Sequence, residues 1–572
     1  MAFIGINPGL TPLGFHDPAV VVVRGGEVVF GAEEERFSRE KHAQGSFPAG
    51  ALREATTFLD GGLEDVDAIT VPWVFEEMDS LFDGRIRGKG KRDSADAVDA
   101  MNVAHRKVRE VVECMTGKQE EKIADAIRET LGVSSLPPVR CHRHHRSHAA
   151  SAFYPSGFDE ALVVTIDSAG EDDSTVVWHA SESGLEKLRT YDFPNSLGFF
   201  FSGITEFLGY RFNNGEGKVM GLAPYGDRNE EIEETLRSLV TPGVDYDVTE
   251  LTQYGPREME HVLGDLFDRD PLDRGGEYDD WHQDLAYAAQ QFLEETVEAI
   301  VREYLPEVST DNVALAGGVA LNCKMNKRVM EMDEVDSVFV QPVANDPGSA
   351  LGSALLEFEP GEVPQMRNVY WGPEYSGETV RDVLERNKLD YDTPENLSRE
   401  VAEALADGQL VGWYQNRMEM GPRALGNRSI LADPRSKSSL DRVNEYVKHR
   451  EEWRPFAPSM LAEAADDYLE GVDSAPFMIK TFDPVDDRKD EIEAVLHPAD
   501  DTTRPQLVYE DQNPEYYDLI SAFEDLTGVP VLLNTSFNDN GEPIVNRVEE
   551  AVRAFYTMGL DMLVLDDVVI RK

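Results

Sequence analysis

The chain has 572 residues, too many for a single hydrophobic core, so two or three domains are expected. Its 109 acidic and 54 basic residues give a net charge of −55, which argues against a nucleic acid or an anionic membrane as the main partner. No CxxC pair, basic leader or apolar run of about 20 residues is present, so we expect a soluble, cytoplasmic protein of a salt-rich cell rather than a zinc ribbon or a membrane protein.

The first half of the chain contains two similar patterns of strand, acidic loop and hairpin. The first pattern has predicted strands at 2–7, 19–23 and 28–32. The second has predicted strands at 161–166 and 174–179 and another after the turn at 181–184. The repetition predicts a duplicated α/β unit, in which two like halves form a cleft. The run Glu33-Glu34-Glu35 after the first hairpin is interpreted as a solvated face.

The rest of the chain shows helical and strand patterns on both sides of one break. Before the break we predict a helix-prone stretch at 76–131, a helix at 284–304, a strand at 313–316 and a helix beginning at 319. The Pro- and Gly-rich break at 356–366 separates a first domain, 1–362, from a second, 366–572. In the second domain we predict a helix at 516–526, a strand at 529–534, a helix at 547–557 and surface loops at 482–515.

Histidines cluster in CHRHHRSH at 141–148, which holds four of the twelve histidines. His144 and His148 are four residues apart, so on a helix they share one face, which is a common metal half-site. Asp167 at a strand end and Asp346 before a Gly- and Ala-rich helix are candidates for further ligands. Such a set suits Fe(II), Mn(II) or Zn(II). The alternatives are a surface histidine patch and cap or turn roles for the aspartates.

Glycine-rich turns supply two candidate phosphate-binding features. Gly317 and Gly318 lie between a strand and a helix, where backbone amides can approach a phosphate. Lys218 lies in NGEGKVMG at 214–221, whose spacing differs from that of a Walker A motif. A tight connection and a plain flexible loop are the alternatives.

Basic residues concentrate at 413–454, where nine arginines and lysines outnumber six acids. Arginine forks suit bidentate binding of phosphate or carboxylate, so the block predicts an anion site. Salt bridges to the abundant acids are the alternative. The candidate ligands are Arg417, Arg423, Arg428, Lys448, Arg450 and Arg454.

Three further loops offer polar side chains. Arg504 lies in TTRPQ at 502–506, and Ser536 lies in LNTSFN at 533–538 after a buried strand. His16, beside Asp17 after the first strand, can act as a general base. For each of these loops the alternative is an ordinary structural turn.

These motifs together resemble the O-carbamoyltransferases of nodulation-factor and antibiotic tailoring, such as those acting on tobramycin and cephamycin. The resemblance covers nearly the whole chain, and the motifs occur in the family order. Asn416 departs from the family pattern, which has glycine there. The matching segments are HDPAVVVVRGGEVVFGAEEERFSREKHAQGSFP, HHRSHAASAFYPSGFDEALVVTIDSAGE, GEGKVMGLAPYG, AGGVALNCKMN, NDPGSALGSAL, MGPRALGNRSILADPR, KHREEWRPFAPS, TTRPQLV and VLLNTSFNDNGEPIV.

The resemblance implies an α/β protein with two domains. The first, 1–362, would be a duplicated domain of the actin and sugar-kinase type, and the second, 366–572, would be YrdC-like. In the second domain carbamoyl phosphate would be cleaved to carbamate, which ATP with Mg would convert to carbamoyl adenylate. A hydroxyl of a small-molecule acceptor would then attack the adenylate in the first domain.

The resemblance also implies roles for single residues. Fe(II) or another divalent metal would be held by His144, His148, Asp167 and Asp346, and His16 would deprotonate the acceptor. The nucleotide would be contacted by Gly317, Gly318, Asn322 and Lys218. Carbamoyl phosphate and ATP would be held by Arg417, Arg423, Arg428, Lys448, Arg450, Arg454, Arg504 and Ser536.

The sequence leaves the acceptor and the oligomeric state open; a sugar, an aminoglycoside-like compound or a glycan precursor fits, and a homodimer is one option. Three other functions compete with carbamoyl transfer to a small molecule. An actin-like sugar kinase would leave the basic block without a role. Threonylcarbamoyl transfer to tRNA conflicts with the charge of −55. A nucleotide-binding sensor would leave two sets of candidate ligands unexplained.

Overall fold

The computed structural model describes residues 1–9, 16–59, 61–78, 117–448 and 453–572. It divides into two units, of which the first comprises Met1–Val29 and Ala43–Met366 and the second comprises Phe30–His42 and Arg367–Lys572. The predicted domains, 1–362 and 366–572, differ from these units at Phe30–His42, which belongs to the second unit. The described residues form a mixed α/β fold with three β-sheets.

The first two sheets repeat one arrangement. The first sheet has β1 (Ala2–Asn7), β2 (Ala19–Arg24), β3 (Glu27–Glu33), β4 (Ala68–Val71) and β5 (Val139–Cys141), in the order β3-β2-β1-β4-β5. The second sheet has β6 (Glu160–Ile166), β7 (Asp173–Ser181), β8 (Gly184–Asp192), β9 (Asn312–Ala316) and β10 (Ser337–Val340), in the order β8-β7-β6-β9-β10. In each sheet the central strand is antiparallel to the following strand and parallel to a later one. The predicted duplication is therefore confirmed.

The third sheet lies in the second unit and has seven strands. Its members are β11 (Val411–Tyr414), β12 (Arg428–Ala432), β13 (Ala457–Leu461), β14 (Gln506–Val508), β15 (Val531–Ser536), β16 (Met562–Leu565) and β17 (Val568–Arg571), in the order β14-β13-β15-β12-β11-β16-β17. The sheet is mixed, with β11 parallel to β16 and antiparallel to β12. β14 lies inside the stretch 482–515, which was predicted to consist of loops only.

The helices mostly follow the predicted patterns. In chain order they are α1 (Glu35–Ser38), α2 (Ala49–Thr56), α3 (Gln119–Leu131), α4 (His144–Phe153), α5 (Leu197–Phe207), α6 (Glu216–Leu222), α7 (Glu230–Arg237), α8 (Thr249–Thr252), α9 (Pro256–Phe267), α10 (Asp280–Tyr304), α11 (Cys323–Met330), α12 (Asp346–Leu355), α13 (Gly377–Arg386), α14 (Leu397–Ala406), α15 (Lys437–Val443), α16 (Ala465–Tyr468), α17 (Pro514–Thr527) and α18 (Val548–Thr557). The helix predicted at 284–304 begins earlier, at Asp280, because Asp279 caps it by accepting from the His282 amide. Most of the predicted stretch 76–131 lies outside the described residues. No helix in the described part of the chain combines the length and apolar character needed to span a bilayer.

Close packing of two helices against the central strands positions the candidate site in the first unit. β1 is buried along its whole length, and β6 along all of it but its first residue, as expected for strands covered on both faces. A Cβ added at Gly352 of α12 would lie 1.7 Å from the carbonyl oxygen of Ser147 on α4. Only glycine therefore permits this approach, which brings the first turns of α4 and α12 to the carboxyl end of β6.

The prediction that Glu33, Glu34 and Glu35 form a solvated face is wrong. The three residues are 5%, 7% and 9% exposed. Glu33 and Glu35 pair with Arg36, which is itself 2% exposed. This buried cation offsets part of the cost of burying Glu33 and Glu35.

Candidate metal centre and anion-binding loops

Helix α4 begins at His144 and carries His148 one turn later on the same face. Both residues are fully buried. Their Nε2 atoms lie 3.0 Å apart, so the two imidazoles converge on one point inside the first unit. A surface histidine patch, the alternative for this motif, does not describe these two residues.

Two carboxylates lie beside the imidazoles. Asp167 directly follows β6, and its Oδ2 lies 3.1 Å from His148 Nε2 and 3.6 Å from His144 Nε2. Asp346 is the first residue of α12, and its Oδ1 lies 3.8 Å from His144 Nε2. One donor atom of each residue lies within 4.8 Å of all the others. We call His144, His148, Asp167 and Asp346 the metal group.

The spacing of these donor atoms suits one divalent ion. Ligand atoms about 2.1 Å from an ion lie roughly 3.0 Å apart at right angles and roughly 3.4 Å apart in a tetrahedron. Four of the six separations run from 3.0 to 3.8 Å, close to this range, and all six lie within 4.8 Å. Two imidazoles with two carboxylates also match the preferences of Fe(II), Mn(II) and Zn(II). The residues present therefore fit the predicted cofactor.

Two residues that the sequence reasoning missed hold His144 in place. The Glu171 carboxylate accepts from the His144 amide at 3.0 and 3.1 Å and from the Val74 amide at 2.9 Å. The Trp73 ring stacks on the His144 imidazole, with centroids 3.9 Å apart. Glu171 lies in the family segment ending TIDSAGE, which was a usable signal, whereas Trp73 lies in none of the quoted segments.

Burial and the short distances between the metal-group side chains shift their pKa values. Burial raises the pKa of Asp167, but hydrogen bonds from His144 and His148 outweigh burial and lower it well below its ordinary value. Burial lowers the pKa of His144, yet the carboxylates of Asp167 and Asp346 outweigh that effect and raise it. Burial and the neighbouring His144 lower the pKa of His148. Without an ion, the carboxylates of Asp167 and Asp346 thus favour the protonated form of His144 over that of a free imidazole.

We predict that divalent metal affinity rises with pH between 6 and 8. An ion binds the neutral imidazole, and the raised pKa of His144 means that the ion must displace a proton. Below the pKa of His144, one displaced proton corresponds to about a tenfold gain in affinity per pH unit, and the slope falls as the pH passes that pKa. Titration calorimetry with Mn(II), in buffers of different ionisation enthalpy, measures both the affinity and the proton release. An affinity that is constant over this range would contradict the prediction.

His16 lies in a turn that is hydrogen bonded to the same part of the unit. Asn7 on β1 donates to the carbonyl of Asp17 at 3.1 Å, and Trp73 Nε1 donates to Asn7 Oδ1 at 3.2 Å. His16 Nδ1 lies 2.9 Å from Asp17 Oδ2. Burial lowers the pKa of His16, but Asp17 and the charge of Asp346 outweigh it and raise the pKa to about 10. A cation in the metal group would offset these carboxylates and favour the neutral imidazole that a base requires.

The predicted nucleotide turn contacts the metal group directly. Gly317 has a φ of 88°, and a Cβ added there would lie 2.2 Å from the carbonyl oxygen of Ile166. The Gly318 amide donates to Asp167 Oδ2 at 3.2 Å. The glycine pair therefore lies against the carboxyl end of β6, beside Asp167.

The other two predicted nucleotide residues have clear structural contacts. Asn322 Oδ1 accepts from the Met325 amide and caps α11, and its side-chain amide pairs with that of Gln290 at 2.8 and 3.0 Å. Lys218 on α6 lies with its Nζ 4.7 Å from the centre of the Tyr210 ring. Asn322 thus positions the helix that follows the glycine turn.

In the second unit, residues 419–428 form a loop that Glu419 closes from inside; we call it the arginine loop. Glu419 is 1% exposed, and its Oε1 accepts from the amides of Leu425, Asn427 and Arg428 at 2.7, 2.8 and 3.1 Å. Asn416, just before the loop, has a φ of 42°. Glycine adopts this left-handed conformation without strain, which explains the glycine of the family pattern.

Two of the predicted anion ligands are hydrogen bonded to the backbone. Arg428 is fully buried, and its guanidinium lies 3.7 Å from the centre of the Tyr414 ring. Its donors reach the carbonyls of Pro373, Gln415, Asn416 and Asn427. Arg417 donates to the carbonyls of Trp371 and Gly372. A phosphate bound by either arginine would have to replace these contacts, so both also serve the fold.

The remaining predicted arginines differ in their surroundings. Arg504 is half-buried, and among the residues that the structure describes none forms an ion pair with it or accepts a hydrogen bond from its Nε. Arg423 and Arg454 are half-buried as well. Arg450 lies outside the described residues. Arg504 is therefore well suited to bind an added anion.

Lys448 and Ser536 are brought into contact. Lys448 ends a π-helical turn, Asn444–Lys448, and its Nζ donates to the Ser536 carbonyl at 2.6 Å and to Asn538 Oδ1 at 2.8 Å. Ser536 Oγ donates to Asn538 Oδ1 at 2.6 Å. The lysine thus fixes the loop that follows β15.

Two family models match the chain. The model for the carbamoyltransferase N-terminus matches residues 8–355, and the model for the carbamoyltransferase C-terminus matches residues 402–572. The chain belongs to the carbamoyltransferase family. The metal group lies in the N-terminal match of this carbamoyltransferase, and the arginine loop lies in its C-terminal match.

Relatives of the carbamoyltransferase align over most of its length. An uncharacterized protein of Synechocystis sp. is 33% identical over 98% of this chain and 95% of its own. The nodulation protein NolNO of Sinorhizobium fredii is 33% identical over 100% of this chain and 83% of its own. A 3'-hydroxymethylcephem-O-carbamoyltransferase of Amycolatopsis lactamdurans is 31% identical over 74% and 79%. The resemblance drawn from the motifs is therefore confirmed at the level of the family.

Proposed function

We propose that the protein is an ATP-dependent O-carbamoyltransferase with carbamoyl phosphate as its donor. Carbamoyl phosphate and water would give carbamate and phosphate, and carbamate with ATP would give carbamoyl adenylate and pyrophosphate. An acceptor hydroxyl would then take the carbamoyl group, with AMP as the leaving group. The observation that carries the proposal is the convergence of His144, His148, Asp167 and Asp346 in a chain of this family.

We assign transfer to the first unit, which we propose to be of the actin and sugar-kinase type. The duplicated sheet order supports this assignment. A divalent ion, Fe(II) by family resemblance, would be held by the metal group and would polarise an oxygen of the carbamoyl donor. Gly317 and Gly318 would present backbone amides to the nucleotide beside Asp167. His16 would take the proton of the acceptor hydroxyl.

We assign adenylate formation to the second unit, which we propose to be YrdC-like. Arg423 in the arginine loop, together with Arg504 and Ser536, would hold carbamoyl phosphate and ATP with Mg. A guanidinium can bind two phosphate oxygens at once, which suits a donor with a compact phosphate group. The buried contacts of Glu419, Arg428 and Lys448 would keep these loops in place.

The acceptor is proposed to be a small molecule with a free hydroxyl. The cephem relatives are named for a hydroxymethyl acceptor, and an alcohol of this kind needs a base such as His16 to become a nucleophile. A polyanionic acceptor such as tRNA is disfavoured by the net charge of −55.

The test is pyrophosphate release from ATP, with and without carbamoyl phosphate. We expect release only when both substrates are present, and a mass gain of one carbamoyl group in a component of cell extract. ADP formation without carbamoyl phosphate would indicate a sugar kinase and would overturn the proposal. Carbamoylation of bulk tRNA but of no small molecule would do the same.

A further inference from the structure

An N-terminal segment of the chain belongs to the second unit and carries buried charges. The segment, Phe30–His42, includes the end of β3 and helix α1. Arg36 is 2% exposed and Glu33 is 5% exposed. Charged side chains at this depth are rare unless they are paired. Here Arg36 Nε lies 3.4 Å from Glu33 Oε2, and its Nη1 lies 3.2 Å from Glu35 Oε1.

The buried pair binds both backbone groups of Gly421 in the arginine loop. The Gly421 amide donates to Glu33 Oε1 at 2.7 Å. Arg36 Nη2 donates to the Gly421 carbonyl at 2.8 Å. Glu33 and Arg36 are also paired with each other, so the three residues form a closed set of charge-assisted hydrogen bonds. Gly421 lies two residues before Arg423 in the chain.

The arginine loop is thus fixed at both of its ends. Glu419 holds the C-terminal end of the loop by accepting from the amides of Leu425, Asn427 and Arg428. Glu33 and Arg36 hold its N-terminal end at Gly421. Arg423 lies between the two fixed points, so its backbone position depends on both.

We propose that Glu33 and Arg36 are positioning residues for the arginine loop and set the placement of Arg423 for binding the phosphate of the donor. The proposal rests on the assignment of carbamoyl phosphate binding to this loop. A segment from the N-terminus would thereby complete a binding site whose other residues all come from the last third of the chain.

Arg39 anchors the same segment through other contacts, so its replacement supplies a matched control. Arg39 donates to the carbonyls of Pro543 and Ile544 at 2.7 and 2.6 Å and pairs with Glu550 at 3.2 Å. Replacing Arg39 also removes charge-assisted bonds between the segment and the rest of the second unit. It leaves the Glu33–Arg36–Gly421 contacts intact.

The experiment compares Glu33→Gln and Arg36→Lys with Arg39→Gln in the full-length protein. We expect the first two to raise the KM for carbamoyl phosphate roughly tenfold to a hundredfold, as the loss of charge-assisted bonds implies, with a smaller change in the KM for ATP. We expect faster hydrogen exchange of the backbone amides in residues 419–428, because Glu33→Gln removes the charged acceptor of the Gly421 amide and Arg36→Lys removes the guanidinium that donates to the Gly421 carbonyl. Arg39→Gln should leave both quantities near the wild-type values.

The outcomes separate this inference from the proposed function. If the wild-type protein releases no pyrophosphate in response to carbamoyl phosphate, the proposed function fails, and the exchange data still test whether Glu33 and Arg36 hold the loop. If the wild-type protein is active, an unchanged KM for carbamoyl phosphate in both variants overturns the inference. An equal rise in KM for Arg39→Gln also overturns it, because general anchoring would then explain the effect. Should Glu33→Gln fail to fold, Arg36→Lys, which keeps the buried cation, decides.

Discussion

Replacement of His148 by alanine is expected to abolish metal binding and to slow carbamoyl transfer by roughly 10³-fold. The ion would lose a ligand whose Nε2 lies 3.0 Å from His144 Nε2 and 3.1 Å from Asp167 Oδ2. Metal polarisation of a substrate oxygen contributes several kcal/mol, and about 1.4 kcal/mol corresponds to a tenfold change in rate. Metal content by mass spectrometry and transfer to the acceptor by product mass are the measurements.

The neighbouring histidine provides the control for this prediction. His145 lies on the same helix and is equally buried, but its Nδ1 lies 2.9 Å from Thr165 Oγ1 and it is not part of the metal group. His145→Asn retains a partner for Thr165 and should keep the bound metal. Pyrophosphate release dependent on carbamoyl phosphate should persist in His148→Ala, since we assign that step to the second unit. Full transfer activity in a metal-free His148→Ala variant would contradict the role of the metal group.

Replacement of Arg504 by methionine is expected to lower carbamoyl-phosphate-dependent pyrophosphate release by roughly 10²- to 10⁴-fold. Two charge-assisted hydrogen bonds to a phosphate would be lost, each contributing about 1.5–3 kcal/mol. Stability should change little, because no described residue forms an ion pair with the half-buried Arg504 or accepts from its Nε. Steady-state pyrophosphate release and urea unfolding of the same preparations measure the two effects separately.

Two other arginines, each with structural contacts, serve as controls for Arg504→Met. Arg435→Met removes a cation paired with Asp433 at 2.6 Å and should leave pyrophosphate release near the wild-type rate. Arg428→Met should instead reduce the free energy of unfolding, because it removes a fully buried guanidinium that donates to four backbone carbonyls. If Arg504→Met behaved like Arg428→Met, losing stability rather than activity, the assignment of Arg504 to the donor would be wrong.

Local elements could be predicted because their signals lie close together in the chain. β1 and β6 are apolar runs that end at acidic or polar loops, and α10 shows helical spacing over 25 residues. The spacing of His144 and His148 requires only the period of a helix. The choice of Asp167 and Asp346 as their partners depended on the family motifs, since no spacing links residues so far apart.

The sequence by itself determined the strand and helix pattern, the duplicated first half and the family to which the chain belongs. Only the tertiary structure decided which charges are buried and what they hold. Arg36 reaches the carbonyl of Gly421 across 385 positions of the chain, and Glu171 reaches the amide of Val74 across 97. A sequence does not distinguish a buried acidic run from one exposed to solvent. The cost of burying its charges is offset by groups that are distant in the chain and come near only when the chain folds.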